Sequence, residues 1–438
     1  MSAPAEQPRA LSRAVGPAAL ALVALGFVAH LLVVRAHAVD LPYQDEWDLL
    51  APGALPDGLR LGWLFDLHNE HRIAPTKLQA WALLRLCAWD NVAWVTSTFL
   101  LFGALLAALL AWLVRRGLPA PAAGALGLLL LSPIAFQNHA WGFQSQVHLA
   151  LLALVVGAWG LFSDLPGRRG AVARLGGALA LVAGAFSFAA GVPYLVVTSA
   201  CFALWRGARA RGLEAPAARR LRLETAAVLA PCVLALLAWT VGWERGEVGP
   251  TSPATARYWD VLLNLVSFGF GFQTRSAALG ALCLAVVVVP VVALVARDPR
   301  DPRGWEVAAV AGALLAGLAA IALARAAWGP GYAKTSRYAG LALPLVPVAA
   351  LAWWRLLAAR PRARAGAVAA VWALAALGLA DDWSRDGYRT IERHKREALA
   401  RIAEHREGRL RLPEVYHGWL DERLEAARTL EVTFTRRP

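Results

Sequence analysis

The chain has 438 residues, 58% of them hydrophobic and only 17% charged, which leaves too few polar side chains to cover a soluble core of this size. Its formal charge of +14 does not point to nucleic acid. The arginines fall in short clusters between apolar runs, as membrane insertion demands, and not in one basic patch. Lysine occurs only at Lys77, Lys334 and Lys395, and Ala, Gly and Arg are abundant, a composition of GC-rich bacterial genomes.

Apolar stretches recur through the first 380 residues and read as about eleven spans. They are 14–35, 92–114, 119–136, 147–164, 174–190, 192–206, 224–243, 277–297, 306–326, 339–357 and 365–380. The first follows Arg9 and Arg13 without a convincing small-residue cleavage site, so it reads as a retained span. Around Gly191-Val192-Pro193 the pattern fits either two helices or one long broken one. The expected fold is an all-α polytopic transmembrane bundle over 1–380. Its largest loop between spans, 36–91, carries two amphipathic stretches, Leu59–Leu67 and Leu78–Leu84, suited to lie flat at the interface. A tail over 381–438 reads as two polar helices, near 386–406 and 414–429.

Orientation follows from the basic loops. Arg115-Arg116, Arg168-Arg169 with Arg174, Arg206 to Arg222, Arg297 to Arg303 and Arg355 to Arg364 fall on one side, while 137–146 and 190–193 carry no Lys or Arg. The positive-inside rule puts the N-terminus in the cytoplasm of a bacterial inner membrane. An odd span number puts the first loop and the tail on the periplasmic side. Cys87, Cys201, Cys232 and Cys283 are scattered and read as small core residues, with no disulfide or metal site among them.

Polar residues gather in the outer loops. The first opens Pro42-Tyr43-Gln44-Asp45-Glu46-Trp47-Asp48. A carboxylate beside a low-dielectric face has a raised pKa, which suits it to take a proton from a hydroxyl; the cluster also offers oxygens to a divalent cation. Next comes His68-Asn69-Glu70-His71-Arg72, groups able to orient a base or grip phosphate oxygens. As a helix it would set His68, His71 and Arg72 on one face and Glu70 elsewhere. Its spacing is not that of a zinc protease.

The segment from Phe136 to Gln146 holds Gln137, Asn138, His139, Trp141, Gln144 and Gln146, with His148 just beyond. Amides pair with sugar hydroxyls and Trp stacks on the apolar sugar face. An interfacial aromatic belt accounts for Trp141 but not for the crowd of amides. In the last outer loop, Arg325 sits at the hydrocarbon edge, where a charge is costly unless it is used or paired. With Lys334, Arg337 and Tyr338 it makes a natural seat for an anionic lipid phosphate, although Lys334 is also free to snorkel. The loop 244–260, with Glu244, Arg245, Glu247, Arg257 and Asp260, reads as solvated. Arg275, after the apolar Ser267–Phe272, reads as a re-entrant boundary.

These patches, in this order, resemble the GT-C superfamily of multi-span glycosyltransferases that use polyprenyl-phosphate-linked sugars. The matching elements are Asp45-Glu46, the interfacial 57–90 region and Ser336-Arg337-Tyr338…Pro344; the segments 137–146 and Ser187-Phe188…Gly191 look like features of bacterial members. The resemblance implies an inverting transferase, with Asp45 as base and Glu46 supporting it or binding donor or acceptor. It further implies Arg325, Arg337 and Lys334 on the lipid-phosphate leaving group, where fixed cations meet developing charge. Members differ in metal dependence. The absence of a big soluble outer domain favours a lipid-linked or cell-envelope glycan as acceptor. Two other readings compete: a glycan polymerase or ligase, whose main outer loop usually comes late, and a lipid or solute transporter, which commonly shows internal repeats not seen here.

Overall fold

The computed structural model describes residues 7–243, 249–406 and 420–436. Glu244, Arg245 and Glu247, and the start of the tail helix expected near 414–429, lie outside the described residues. Helix α1 (Gln7–Ala36) leads into the first loop, which contains a 3-10 turn (Gln44–Leu50), α2 (Leu61–Phe65), a hairpin of β1 (Leu67–His68) and β2 (His71–Arg72), and α3 (Ala74–Cys87). Then come α4 (Asn91–Arg115), α5 (Ala120–Leu130), α6 (Phe136–Ala140), α7 (Ser145–Leu161), α8 (Gly167–Ala185), α9 (Gly191–Ala210), α10 (Ala215–Thr240) and α11 (Ala256–Gly269). The chain finishes with α12 (Ala277–Arg297), α13 (Pro302–Arg325), α14 (Ser336–Ala342), α15 (Leu345–Leu356), α16 (Pro361–Gly378), α17 (Asp386–Arg406) and α18 (Leu420–Thr429).

Among the described residues seven helical stretches are long and apolar enough to cross a membrane, or eight if the pair Ala120–Leu130 and Pro133–Ala140, bent by 44°, forms one span. The chain is therefore a multi-span, almost wholly helical membrane protein. Three of the expected segments, 174–190, 192–206 and 365–380, are helical as α8, α9 and α16. Each falls short of that apolar length, because arginines such as Arg174, Arg206 and Arg364 interrupt the run. Helix α11 falls in none of the expected spans; its fourteen residues bury Val261, Leu265, Val266 and Phe268 inside the bundle. At Gly191 the chain makes two helices, not one broken one. A Cβ there would stand 1.9 Å from the Gly184 carbonyl oxygen, so glycine alone lets α9 start against the end of α8.

Capping residues mark where spans begin. The Asp90 carboxylate accepts from the Val92 and Ala93 N–H groups at the start of α4, Ser276 caps α12, and Asp301 caps α13. The helices pack as neighbours α1–α5, α4–α7, α7–α8, α9–α13 and α12–α15–α16. Their outward faces stay apolar, with Leu22, Leu25 and Leu32 of α1 and Leu234 and Leu237 of α10 exposed, as lipid requires.

Polar groups collect at the two ends of this bundle. At one end the basic loops meet: Arg116 pairs with Glu306 at 2.5 Å, Arg355 with Asp301 at 3.0 Å and Arg206 with Glu224 at 3.0 Å. The other end carries the first loop, the 136–146 segment, the 326–335 loop and the tail. Helix α17 packs on α6, and α18 on the 3-10 turn, so the tail lies on the same side as the first loop. Glu306 is fully buried and also accepts from Trp112 Nε1 at 2.7 Å. Removing its cation strands a buried charge, at a cost of about 3–5 kcal/mol. Arg116→Ala should accordingly lower the thermal unfolding midpoint in detergent, and adding Glu306→Gln should restore most of it; equal midpoints for wild type and Arg116→Ala would refute the pairing.

Candidate functional site

The 3-10 turn over Gln44–Leu50 sends its carboxylates in different directions. Asp45 lines a cavity of about 210 Å³. Asp48 lies half exposed at the rim, 3.8 Å from His68 Nε2. Glu46 turns inward and is fully buried. It accepts from Tyr43 N (2.8 Å), Asn91 Nδ2 (2.8 Å) and Phe143 N (3.1 Å), and Asn91 Oδ1 in turn accepts from the buried Lys395 Nζ at 2.5 Å. Burial raises the Glu46 pKa and the Lys395 charge works against that rise. Glu46 therefore stands outside the cavity, as the post that ties the Asp45 turn to α4, to the turn after Trp141 and to the tail helix α17.

The His68–Arg72 segment is a hairpin, not a helix. His68 pairs with His71 across the two strands, and Asn69 takes the left-handed conformation, φ +51°, that a two-residue hairpin turn needs and that Asn tolerates. Both imidazoles face the cavity. Strand alternation sends Arg72 the other way, off the cavity lining, where it donates to the Phe65, Trp239 and Val241 carbonyls. Glu70, at the turn, makes an ion pair with Arg325. Burial lowers both His68 and His71 to about 4, so they face the cavity uncharged at neutral pH.

From the far end of the chain come Arg325, Arg337 and Tyr338, all on the same lining. The Arg325 guanidinium lies over the Trp328 ring at 4.7 Å. Arg337 lies 5.4 Å from each of the Tyr332 and Tyr338 rings and donates to the Tyr332 hydroxyl. Trp141, Gln144 and Gln146 complete the polar wall. Trp141 stacks with Phe143 at 5.9 Å, and Phe143 packs on His68 at 4.8 Å.

Besides Glu46, Glu70 and Arg72, four further expected residues lie off this lining. Gln137 is a brace: its Oε1 accepts from the Arg337 backbone N–H at 3.0 Å. Asn138 is buried and donates to Gln144 Oε1 at 3.3 Å. His139 is buried among Phe99, Phe102 and His30, with its Nδ1 bonded to the Tyr388 hydroxyl at 3.0 Å. Lys334 spends its donors on Asn264 O (2.9 Å), Ser267 Oγ (2.9 Å) and Phe272 O (2.6 Å), and burial lowers it to about 8. Conversely, Trp328 and Tyr332, aromatic residues interleaved with Arg325 and Arg337, line the cavity without being among the expected site residues, and Phe188 of the Ser187-Phe188…Gly191 segment lines it too.

Among the described residues, five buried polar atoms on this lining have no hydrogen-bond partner: His68 Nε2, His71 Nδ1, Trp141 Nε1, Gln146 Oε1 and Arg337 Nε. Buried polar atoms are almost always paired, so this lining stands out as the candidate seat for polar groups. Burial first, then the like charge of Asp48, raises the Asp45 pKa, with Arg337 pulling it back. Among the described residues no three His, Cys, Asp or Glu side chains converge as metal ligands, and the three carboxylates of the 3-10 turn diverge. Comparisons with protein families, with curated proteins and with solved structures find no match to this chain.

The support beneath Asp45 is open to test. Lys395→Met leaves Glu46 buried without its nearby cation and should cost about 3–5 kcal/mol, seen as a lower unfolding midpoint; the pair Lys395→Met/Glu46→Gln should recover much of it. A double variant no better than the single one would break the link.

Proposed function

We propose that the chain is a membrane glycosyltransferase of about eleven spans, moving a sugar from a polyprenyl-phosphate donor to a lipid-linked or cell-envelope glycan. The reaction takes place on the periplasmic face of the bacterial inner membrane, with the N-terminus cytoplasmic. The observation that carries this reading is that Asp45 and Arg337, from opposite ends of the sequence, line the same cavity. In this reading Asp45 takes the proton of the acceptor hydroxyl while its oxygen attacks the anomeric carbon. The bond from that carbon to the phosphate oxygen breaks, and its electron pair leaves on the lipid phosphate. Attack opposite the leaving group inverts the anomeric centre.

Arg337 and Arg325 meet the charge that develops on the phosphate. The tyrosines around Arg337 hold it in place beforehand, and Glu70 keeps Arg325 neutralised until a phosphate competes for it. Gln144, Gln146 and the Trp141 ring suit a sugar, and neutral His68 and His71 offer hydrogen bonds without repelling Arg337. A space of 210 Å³ is below the roughly 300–1,000 Å³ of pockets enclosing whole drug-sized ligands, in keeping with a donor whose prenyl tail stays in lipid. The bilayer also has interfacial contacts in this reading, through exposed Leu61 and Leu86 of the first loop.

Asp45→Asn should reduce transfer from a radiolabelled polyprenyl-phosphate sugar by about 10²–10⁴-fold with the protein still folded, and Arg337→Ala should weaken donor binding by about tenfold or more. Normal transfer by the first variant removes Asp45 as base; unchanged donor affinity in the second removes the phosphate assignment. Because the base acts ionised and its pKa is raised, the rate should climb with pH along an acidic limb lying above the ordinary carboxylate range. Asp48→Asn, which deletes a like charge, should move that limb to lower pH, and a limb that stays put excludes Asp45 as its source.

A further inference from the structure

A second cavity, of about 350 Å³, opens on the other side of the Ser336–Arg337 step. It lies between the start of α14, the end of α11 and the chain entering α17, and no function described above uses it. Its volume falls at the lower end of the range for small-ligand pockets, roughly 300–1,000 Å³. Two features of its lining restrict what it can hold.

The first is charge. The one cation on the lining, Lys334, is bonded to Asn264, Ser267 and Phe272, so an anion entering here meets no uncommitted ammonium or guanidinium among the described lining residues. The one carboxylate is Asp382. Its Oδ1 accepts from Gln273 Nε2 at 3.1 Å, while its Oδ2 is buried and has no hydrogen-bond partner among the described residues. A buried carboxylate oxygen in that state calls for a donor, and an alcohol hydroxyl supplies one without a net charge. The second feature is the mix of amides and an aromatic ring. Gln137 and Gln273 flank the space, and the partly buried Phe136 supplies an apolar ring face. Gln137 gives its oxygen to the Arg337 N–H, which leaves its amide nitrogen as a donor on the lining. Paired amides, a carboxylate and aromatic rings are the side chains that bind hydroxyl-rich, uncharged rings.

We propose that this cavity is a binding site for a neutral carbohydrate, held by Asp382 and Gln273 and lying one residue away from the arginine of the first cavity. Its identity as the seat of the acceptor glycan rests on the transferase reading; sugar binding itself does not. Gln137 sits between the two, bracing Arg337 from behind while it lines the second space.

The test uses the full chain in lipid nanodiscs with methyl β-D-glucopyranoside, methyl β-D-galactopyranoside and methyl α-D-mannopyranoside as probes, read by saturation-transfer-difference NMR. At least one glycoside should receive magnetisation from the protein, and inorganic phosphate should not displace it. Asp382→Asn should weaken the apparent Kd about tenfold, as loss of one charge-assisted hydrogen bond does, with an unchanged unfolding midpoint. Gln273→Ala provides a second variant if Asp382→Asn does not fold, with the same direction expected. Asp45→Asn should leave this binding intact. Absence of transfer to all three glycosides overturns the proposal, as does equal affinity in both variants or displacement by phosphate. Binding lost in Asp45→Asn but kept in Asp382→Asn places the sugar in the first cavity and overturns it too. Sugar binding sensitive to Asp382, together with full transfer by Asp45→Asn, would leave the site standing and remove the transferase reading.

Discussion

Burying the Glu46 carboxylate costs several kcal/mol unless its lone pairs are met and an opposite charge lies near. The outer end of the bundle is arranged around that requirement. Two backbone N–H groups, one amide and, through that amide, one lysine converge on it, and they come from the first loop, from α4, from the turn after Trp141 and from α17. The fit leaves no room to spare. A Cβ on Gly142 would stand 2.6 Å from the Trp94 ring and 3.1 Å from Glu46 Oε1. Asp45 precedes Glu46 in the same 3-10 turn, so its direction into the cavity follows from where its neighbour is anchored.

The same economics of charge in a medium of low dielectric explains the distribution of polar groups over the whole molecule. Charges stay at the two ends, and those drawn toward the core are paired, as with Arg116 and Glu306 at one end and Arg325 and Glu70 at the other. The lining of the first cavity departs from this pattern. Among the described residues it keeps five buried polar atoms without hydrogen-bond partners, three of them on two neutral imidazoles and on an arginine enclosed by tyrosine rings, together with a carboxylate of raised pKa. Such a site is costly to the folded protein by itself and becomes favourable when a ligand supplies the missing bonds.

The tail is part of this site's architecture. Tyr388 bridges His30 of α1 and His139 of α6 at 2.5 and 3.0 Å, Lys395 reaches the Glu46 network, and Phe434 packs on Trp47 at 5.7 Å. A polar, arginine-rich segment reads in sequence as a solvated face, and most of α17 is one. Among the charged residues described in this helix, Lys395 is the buried one. Its compact ammonium reaches both Asn91 Oδ1 and the Val39 carbonyl.

Hydropathy by itself determined that the chain is a helical, multi-span membrane protein and that its polar residues cluster in the first loop, at 136–146 and at 325–338. These follow from the length of an apolar run and from the cost of charge in lipid, both local properties of the sequence. It also singled out Asp45, His68, His71, Trp141, Gln144, Gln146, Arg325, Arg337 and Tyr338, which the fold brings onto one lining. Only the tertiary structure decided which neighbours of these residues turn away. Glu46 beside Asp45, Arg72 beside His71, His139 beside Trp141 and Lys334 near Arg337 have the same chemistry as the cavity residues. A 3-10 turn, a hairpin and a bent helix pair point adjacent side chains in different directions, and which direction faces the cavity depends on partners distant in sequence. Proximity along the chain carries no information about that.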